Sequence, residues 1–249
     1  MNMQVKTNKV AFVTGANRGI GFETAKGLAE VGVTVLLGSR DIEKGQTAAK
    51  QLQALGFNAE AIRYDASQAQ SADDAFEYID KHFGKLDILV NNTGINQEQL
   101  MGSNNSSSVS MDVLQHTFQI NLFSTIALTQ KLLPLLKKSP AGRIVNLSSI
   151  LASLTLHSMP NSPIDPAKAF AYNASKTALN AYTIHLAHAL RDTNIKVNSA
   201  HPGWVKTELG GANAPMDIAD GGKTSVQLAM LDEHGASGGF FHMGESLPW

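Results

Sequence analysis

The sequence predicts an α/β fold, namely a doubly wound, Rossmann-type parallel sheet of about seven strands with helices on both faces. Short apolar runs alternate with segments of helical length and periodicity from one end of the chain to the other, a pattern typical of this fold class. The first apolar run leads directly into a glycine-rich turn. The sequence has no internal repeat and no segment that indicates a second domain, so residues 1–249 are expected to form a single domain.

The strand candidates are short, continuous and apolar, as expected for strands that are buried on both faces of a parallel sheet. They cover residues 10–14, 33–38, 59–63, 86–91, 143–148, 196–200 and 239–242. Helical patterns lie between them, over residues 21–31, 42–55, 69–83, 112–136 and 172–191. In sheets of this type, ligands bind at the carboxyl ends of the strands.

Three segments, at about 95–111, 151–170 and 210–230, interrupt this alternation and are expected to form the substrate pocket. The first contains the polar, serine-rich stretch 101–110, which predicts a loop. The second contains Pro160, Pro163 and Pro166 and therefore cannot form a continuous helix. The third is rich in glycine and alanine and follows Pro202 and Gly203.

Composition and charge indicate a cytoplasmic protein whose partners are small molecules. The formal net charge of -1 gives no general attraction to nucleic acid or to acidic membranes. The chain has no cysteine, so it forms no disulfide and no cysteine-based zinc site; we predict no metal site. The amino-terminal stretch does not resemble a signal peptide, and no apolar run approaches the roughly 20 residues of a membrane-spanning helix.

The glycine-rich turn predicts a phosphate-binding site. Gly15 allows a tight turn, Gly19 lets the backbone approach a cofactor, and Gly21 permits close packing of helix on strand. The amino terminus of the helix would then face a pyrophosphate with free N–H groups and a partial positive charge. The spacing differs from the common G-x-G-x-x-G, and such glycines alone are also compatible with an ordinary loop between a strand and a helix.

The end of the second strand predicts which dinucleotide binds. An acidic residue here would hold the ribose 2′-hydroxyl of NAD, whereas this chain has Ser39 and Arg40. An arginine can make forked hydrogen bonds to a 2′-phosphate, and Arg18 in the glycine-rich turn is a second candidate. Asp41 is interpreted as the N-cap of the next helix. We therefore expect NADP(H).

Tyr172 and Lys176 are the candidate catalytic pair. They are four residues apart, so on one helix they share a face. The ordinary pKa of tyrosine is near 10, and a neighbouring ammonium would lower it toward the working range. Ser148 and Ser149, at the end of a strand, could donate hydrogen bonds to a substrate oxygen. A pair of this spacing alone is usually surface decoration, but here it follows the glycine turn and the two serines.

With these features, the chain resembles the short-chain dehydrogenase/reductase superfamily in its compact one-domain form. The matching motifs, in order, are TGANRGIG at 14–21, Asp65, NNTG at 91–94, Asn121, Ser148 with Ser149, YNASK at 172–176 and HPGWVKT at 201–207. The resemblance covers nearly the whole chain and implies an oxidoreductase that transfers a hydride between NADP(H) and a ketone, aldehyde or secondary alcohol.

The resemblance also implies a role for individual residues. Tyr172 would be the acid/base, Lys176 would lower its pKa and hold the nicotinamide ribose, Ser149 would position the substrate oxygen, and Asn121 would keep a water in line to Lys176. Asp65 would contact the adenine, and Asn92 with Gly94 would pass along the adenosine ribose. The nicotinamide carboxamide would be framed by Pro202, Gly203, Val205 and Thr207. The implied cofactor-binding residues are Gly15, Asn17, Arg18, Gly19, Ile20, Gly21, Ser39, Arg40, Asp65, Ala66, Asn92, Thr93, Gly94, Tyr172, Lys176, Pro202, Gly203, Val205 and Thr207.

Two departures from the family pattern are present. Thr93 replaces the usual alanine of NNAG, and little effect is expected. The separation between Ser149 and Tyr172 is longer than is common, which is similar to the carbonyl reductase and plant menthone/salutaridine reductase branch. The carboxyl-terminal GGFFHMGESLPW could line or cap the pocket, or could form only a last strand and tail.

Three alternative functions or sites are less consistent with the sequence. His185 and His188 have a spacing that could suit a metal, but a packed or solvated helix face is favoured. A serine hydrolase would need a G-x-S-x-G elbow, which the residues around Ser149 do not form. A non-catalytic NADPH-sensing protein on the same fold is the remaining alternative, although relatives of that kind usually lose a catalytic residue.

A homo-oligomer, dimer or tetramer, is also expected. Helices carrying Asn121 and Tyr172 commonly pack against their symmetry mates in this superfamily. Small side chains on the second helix would allow close approach at a two-fold interface; they are Ala174, Ala178, Ala181, Ala187 and Ala189. The competing interpretation is that these alanines pack against the chain's own sheet.

Overall fold

A computed structural model describes residues 8–99, 102 and 104–249 of the chain. Eight strands form one sheet in the spatial order β3-β2-β1-β4-β5-β6-β7-β8. The strands are β1 (Val10–Thr14), β2 (Thr34–Ser39), β3 (Ala59–Arg63), β4 (Ile88–Asn91), β5 (Arg143–Leu147), β6 (Lys196–Ala200), β7 (Phe240–His242) and β8 (Glu245–Ser246). The first seven pair in parallel, and only β8 is antiparallel to its neighbour.

Helices cover both faces of this sheet. They are α1 (Gly19–Glu30), α2 (Ile42–Ala54), α3 (Gln70–Phe83), α4 (Met111–Phe118), α5 (Ser124–Leu136), α6 (Leu154–Ser158), α7 (Phe170–Ala189) and α8 (Lys223–Ala229). Buried side chains of α1, α2 and α8 pack in one core on the first face. Those of α3, α5 and α7 pack in a second core on the other. The predicted α/β fold is therefore confirmed.

All seven predicted strands are present, with bounds that differ by at most two residues. The added strand β8 follows a two-residue turn in which Met243 and Gly244 both have positive φ angles, 49° and 91°. Tight hairpins of this kind usually carry Asn-Gly or Asp-Gly. Methionine gives no such signal, and the strand was missed for that reason.

The helix predicted over residues 112–136 is divided into α4 and α5 by a π-helical turn, Gln119–Phe123. Such turns insert a single wide turn into an α-helix and occur often at functional sites. Asn121 lies at the centre of this one. The segment 151–168 is not a continuous helix, as its prolines predicted: a 3-10 turn, Ile150–Ala152, is followed by the short α6 and then by turns.

The sheet brings the sequence motifs to one edge. Because β1 to β6 run in parallel, the segments that follow them all leave from the carboxyl ends of the strands. The strand order 3-2-1-4-5-6 places the reversal of winding between β1 and β4, which is where dinucleotides bind in this fold. Within the described part of the chain, no helix is both long and apolar enough to cross a membrane.

Candidate active site

The turn after β1 has the backbone of a phosphate cradle. Gly15 and Gly19 have φ angles of 63° and 64°, a conformation that side-chain-bearing residues rarely adopt. A Cβ atom at Gly21 would lie only 2.4 Å from the carbonyl oxygen of Gly15. Helix α1 begins at Gly19, and no side chain caps its N–H groups at Arg18. The turn therefore fits a bound pyrophosphate, which would occupy the uncapped helix terminus.

The segment after β4 braces this turn from the side. The amide of Asn92 donates hydrogen bonds to the carbonyl oxygens of Thr14, at 2.8 Å, and Gly15, at 3.2 Å. In return, the Thr14 hydroxyl accepts from the backbone N–H groups of Asn92 and Thr93. The two motifs at the switch point are thus held as one unit.

The segment after β6 closes on the same turn. The side chains of Ile20 and Val205 both pack at Gly221, where an added Cβ would lie 2.9 Å and 3.2 Å from them. Arg18 also forms an ion pair with Glu208, one residue beyond Thr207. The cofactor-binding residues predicted in the glycine turn and after β6 therefore lie on two facing sides of one region.

The end of β2 presents an exposed cation, and the carboxylate that follows it caps the next helix. The Ser39 hydroxyl is buried and donates to the carbonyl oxygen of Asp41 at 2.7 Å, while Arg40 is exposed. The Asp41 carboxylate accepts from the N–H groups of Glu43 and Lys44 at 3.1 and 3.2 Å. These bonds lower its pKa. The prediction that Asp41 is an N-cap is confirmed, so this carboxylate is engaged by its own helix.

Asp65 lies just beyond β3, near Arg40. Its carboxylate accepts from the backbone N–H and the hydroxyl of Ser67, at 2.9 and 2.7 Å. Burial by itself would raise the pKa of Asp65, but these hydrogen bonds and the charges of Arg40 and Arg63 outweigh it, and the pKa is lowered. Asp65 is therefore ionised near neutral pH, and with the following Ala66 it lies at the strand edge where an adenine was predicted.

Asn121 links the segment after β4 to the catalytic helix. Its side chain is fully buried. The amide oxygen accepts from the N–H of Ile95 at 2.8 Å, and the amide nitrogen donates to the Ile95 carbonyl and to the Ser175 hydroxyl, each at 2.9 Å. A Cβ atom at Gly94 would lie 3.2 Å from the ammonium of Lys176 and 3.5 Å from the Asn121 oxygen. Gly94, Asn121 and Lys176 thus form one cluster.

Tyr172 and Lys176 lie on α7 as predicted, and both are buried, at 7% and 3% exposure. The Lys176 ammonium donates to the carbonyl oxygen of Leu147 at 2.7 Å and lies 5.9 Å from the centre of the Tyr172 ring. Burial lowers the pKa of Lys176 to about 8. Burial also raises the pKa of Tyr172 to about 12, against the opposing effect of a hydrogen bond with the Ser149 side chain.

This shift at Tyr172 corrects the expectation that Lys176 would lower its pKa. Desolvation disfavours the phenolate, and it is the largest influence on this hydroxyl. Lysine is itself desolvated, and its ammonium is directed at a backbone carbonyl. In this structure Tyr172 is consequently a protonated phenol at neutral pH, which is the form that can give a proton.

Ser149, rather than Ser148, interacts with Tyr172. Its hydroxyl opposes the rise in the Tyr172 pKa and also accepts from the N–H of Leu151 at 3.2 Å. The Ser148 hydroxyl is buried, with no hydrogen-bond partner among the described residues. Of the two serines, Ser149 is therefore the one whose side chain interacts with the tyrosine hydroxyl.

Glu98 is a site residue that the sequence did not reveal. Its carboxylate accepts from the backbone N–H of Tyr172 at 3.1 Å, so it caps the first turn of α7, where negative charge is stabilised. The N-cap residue itself, Ala169, has no polar side chain that could cap the helix. Glu98 lies in the segment 95–111, but its partner is 74 residues away. Local sequence patterns therefore gave no signal.

Residues 150–169, between Ser149 and the helix of Tyr172, form one wall of the site and are held in place by internal hydrogen bonds. The Lys168 ammonium donates to Nδ1 of His157 at 3.0 Å, and Nε2 of the same ring lies 3.1 Å from the Leu151 carbonyl. Leu151, Ile164, Ala167 and Ala169 form a small buried core with Tyr172. Residues 150–169 are therefore packed directly on the candidate catalytic tyrosine.

The carboxyl-terminal segment both forms the last strands and contacts this wall. The main-chain oxygen of Trp249 accepts from the N–H of Thr155 at 2.8 Å and from the Ser153 hydroxyl at 3.1 Å. The Trp249 ring stacks on Phe240 of β7, with ring centres 5.6 Å apart. The segment 210–230 lies beside the glycine turn through Gly221. Residues 100, 101 and 103 of the predicted pocket segment 95–111 lie outside the described residues, and 104–110 form turns and irregular backbone.

His185 and His188 lie on the outer part of α7, both exposed. Nε2 of His188 lies 2.9 Å from the Arg191 guanidinium. Across residues 8–99, 102 and 104–249, no group of three or more histidine, aspartate or glutamate side chains is arranged to hold a metal ion.

Comparison with known proteins places this geometry in a family. The family described as short chain dehydrogenase matches residues 9–217. Carbonyl reductase [NADPH] 1 of Mus musculus is 31% identical over 281 residues, which cover 96% of this chain and 98% of the mouse protein.

Two solved structures are similar over nearly their whole length. The carbonyl reductase Sniffer of D. melanogaster has a TM-score of 0.82 and 31% identity, covering 98% of this chain and 100% of the other. The NADPH-bound carbonyl reductase from chicken fatty liver has a TM-score of 0.82 and 27% identity, with the same coverage. The family match over residues 9–217 and the identity to these relatives show that this chain belongs to the short-chain dehydrogenase/reductase family of oxidoreductases.

Proposed function

We propose that the chain is an NADPH-dependent carbonyl reductase or alcohol dehydrogenase that uses Tyr172 as its acid/base. The observation that carries the proposal is the enclosed cluster of Ser149, Tyr172 and Lys176, in which burial holds the Tyr172 pKa at about 12 and the Lys176 pKa at about 8. A protonated phenol beside a second hydroxyl can receive a carbonyl oxygen and give it a proton.

NADP(H), when bound, supplies or accepts the hydride at the substrate carbon. In the reductive direction, the Ser149 hydroxyl donates a hydrogen bond to the carbonyl oxygen and so orients it. The phenol of Tyr172 then gives its proton to that oxygen as negative charge develops there. Lys176, whose ammonium lies 5.9 Å from the centre of the Tyr172 ring, would hold the nicotinamide ribose beside this tyrosine. Asn121 holds the segment around Ile95 against α7, and so keeps Lys176 in place.

Residues of this chain would hold the cofactor at five positions. The glycine turn, Gly15 to Gly21 with Asn17, would hold the pyrophosphate, and Arg18 in this turn is the second candidate, after Arg40, for the 2′-phosphate. Ser39 and Arg40 would face the 2′-phosphate, where an exposed guanidinium is favoured. Asp65 and Ala66 would contact the adenine, and Asn92, Thr93 and Gly94 would follow the ribose. On the opposite side, Pro202, Gly203, Val205 and Thr207 would frame the nicotinamide.

NADP(H) is proposed over NAD(H) on two features of the β2 end. Arg40 is exposed there, and the neighbouring Asp41 carboxylate is engaged by the helix it caps. The related mouse protein carries NADPH in its name, and the related chicken structure contains NADPH. A preference of at least about tenfold in kcat/KM is expected, which corresponds to about 1.4 kcal/mol.

The proposal is tested by mixing the protein with NADPH and a panel of aldehydes, cyclic ketones and bulky aryl ketones. Absorbance of the reduced nicotinamide should fall with at least one of them, and the alcohol product should appear in equal amount. The same compounds with NADH give the preference for cofactor. Tight NADPH binding without turnover of any carbonyl or alcohol would instead indicate an NADPH-sensing protein.

A homo-oligomer is proposed on exposed apolar side chains around α4, α5 and α7. Phe123, Phe170 and Ile184 are all exposed by more than a third of their surface, and α4 contacts α7. Ala187 packs in the core of the chain, whereas Ala181 and Ala189 are exposed. Light scattering behind a sizing column decides the matter: a single species near 26.6 kDa at micromolar concentration would overturn the proposal.

A further inference from the structure

His201 connects the segment that carries Ser149 to the segment that follows β6. It is the first residue after β6 and is buried, with 9% of its surface exposed. Nδ1 of its ring accepts a hydrogen bond from the backbone N–H of Ile150 at 3.2 Å. Ile150 immediately follows Ser149 and begins the 3-10 turn.

That N–H has no partner within its own turn. The first N–H groups of a helical turn lack internal acceptors and need others. The N–H of Leu151 is bonded to the Ser149 hydroxyl, and the N–H of Ala152 to the Ser149 carbonyl. The N–H of Ile150 is left to His201, so the imidazole completes the set of bonds that fixes the backbone beside Ser149.

The main chain of His201 is also hydrogen-bonded, to residues of β7. Its N–H donates to the Phe241 carbonyl at 2.8 Å, and its carbonyl oxygen accepts from Nδ1 of His242 at 2.9 Å. The two imidazole rings are 4.9 Å apart. A Cβ at Gly203 would lie 3.1 Å from the His242 ring, so this histidine also borders the Pro202–Gly203 backbone.

The hydrogen bonds define the tautomer of each ring. A backbone N–H can only donate, so Nδ1 of His201 is unprotonated and its proton is on Nε2. A carbonyl oxygen can only accept, so His242 carries its proton on Nδ1. Burial first, and the neighbouring His242 second, lower the pKa of His201 to about 3. His201 is therefore a neutral acceptor under the conditions in which the enzyme works.

We propose that His201 is a positioning residue for the carbonyl reduction, which rests on the function proposed above. By accepting from Ile150 through its ring and from His242 through its carbonyl, it fixes Ser149 relative to Pro202 and Gly203. His201 thereby fixes the distance between the serine that orients the substrate oxygen and the backbone that frames the nicotinamide. A displacement of about 1 Å between reacting groups costs roughly two orders of magnitude in rate.

Two substitutions separate this role from simple packing. His201→Asn places an amide oxygen near the position of Nδ1 and preserves the acceptor, whereas His201→Leu fills the space without one. We expect kcat of His201→Leu to fall at least about tenfold, with the Kd for NADPH changed less than threefold. His201→Asn should recover most of the lost kcat. Equal losses in both variants would overturn the proposal, because packing alone would then explain them.

A double-substitution cycle tests whether the effect passes through Ser149. If His201 acts by positioning that hydroxyl, His201→Leu should lower kcat at least five times less in a Ser149→Ala background than in the wild type. Independent, multiplicative losses would show that His201 acts by another route and would contradict the proposal.

Amide hydrogen exchange supplies a measurement that does not depend on activity. The N–H of Ile150 should exchange at least about tenfold faster in His201→Leu than in the wild type, and His201→Asn should retain protection. Unchanged exchange in His201→Leu would overturn the positioning contact even if the protein is active. Conversely, absence of carbonyl turnover in the wild type, with the expected exchange pattern, would overturn the proposed function and leave the contact between His201 and Ile150 established.

Discussion

The Lys176 ammonium donates a 2.7 Å hydrogen bond to the carbonyl oxygen of Leu147, the last residue of β5. This bond attaches the catalytic helix to the strand that leads into Ser149. The ammonium is 3% exposed, and burial lowers its pKa to about 8. A buried cation held in this way costs stability when the protein folds.

Stability of the protein without added cofactor should therefore rise with pH above about 8. The folded protein releases the Lys176 proton near pH 8, whereas the unfolded chain keeps it to about 10.5. Because the unfolded state binds more protons in this window, the free energy of unfolding increases with pH. Lys176 should contribute about 2 kcal/mol to this rise between pH 8 and pH 10. Burial raises the pKa of all four tyrosines to about 12, so they ionise first in the unfolded chain and oppose the rise as the pH approaches 10.

Urea unfolding at pH 8, 9 and 10 measures this effect, with Lys176→Met as the comparison. The methionine keeps the apolar part of the side chain and removes the ionisation, so its stability should lack the additional rise. Parallel pH dependence in the two proteins would show that Lys176 does not carry a depressed pKa.

Substitution of Arg40 should change the choice of cofactor. Arg40→Asp replaces the exposed guanidinium at the end of β2 with a carboxylate that repels a 2′-phosphate and can accept from a ribose hydroxyl. We expect kcat/KM for NADPH to fall at least about tenfold and that for NADH to rise. Arg191→Asp makes the same change of charge at the exposed end of α7 and serves as the control. Equal responses to the two substitutions would show that net charge, not Arg40, determines the preference.

Glu208 would compete with the cofactor for Arg18, the second candidate for binding the 2′-phosphate. It forms an exposed ion pair with Arg18 in the glycine turn, and pairs of this type contribute roughly 0.2–1 kcal/mol. Glu208→Gln should therefore lower the Kd for NADPH by up to about fivefold, with a smaller effect on NADH. Fluorescence titration of reduced cofactor at low and high salt measures this difference. Glu233→Gln, at another exposed carboxylate, is the control, and an unchanged Kd in Glu208→Gln would remove Arg18 from the phosphate site.

The sequence was most informative where function requires one residue type at one backbone position. Gly15, Gly19 and Gly21 could be assigned because positive φ angles and a 2.4 Å approach leave room only for glycine. The prolines in residues 151–168 excluded a continuous helix for a similarly local reason. The alternation of strands and helices then predicted the doubly wound parallel sheet, but not the order of its strands.

Contacts between distant segments could not be predicted in this way. Glu98 caps the helix of Tyr172, and His201 accepts from Ile150, across 74 and 51 residues respectively. Neither residue type is unusual in its own surroundings. The predicted direction of the Tyr172 pKa shift was wrong for a related reason. The spacing of Tyr172 and Lys176 indicated a neighbouring charge, but the dominant cause is burial by residues 150–169.

Asn146 belongs to a buried polar network that aligns the sheet with the catalytic helices. Asn91, Asn146 and Ser199 occupy the same level of β4, β5 and β6. The amide of Asn91 donates to the oxygens of Asn146, at 2.8 Å, and Thr129, at 3.0 Å. The amide of Asn146 and the hydroxyl of Ser199 each lie 2.9 Å from the Thr183 hydroxyl. Helices α5 and α7 are thus joined to three strands by side chains that are nearly inaccessible to water.

Removal of Asn146 should therefore be strongly destabilising. Asn146→Ala leaves the buried amide of Asn91 with one acceptor fewer and creates a cavity, and we expect a loss of about 2–4 kcal/mol in the free energy of unfolding. Asn58→Ala, in the irregular connection before β3, controls for loss of an asparagine away from the network. Chemical denaturation compares the variants. A loss below about 1 kcal/mol in Asn146→Ala would show that water replaces the missing amide without cost.

The measurement that tests the central claim most directly is the turnover of Tyr172→Phe. This substitution keeps the ring that packs with Leu151, Ile164, Ala167 and Ala169 and removes only the hydroxyl that carries the proton. Carbonyl reduction by NADPH should fall at least about 100-fold in kcat, while the Kd for NADPH, measured by fluorescence, should change less than threefold. Near-normal kcat in Tyr172→Phe, with product formed in the usual amount, would contradict the assignment of Tyr172 as the proton donor.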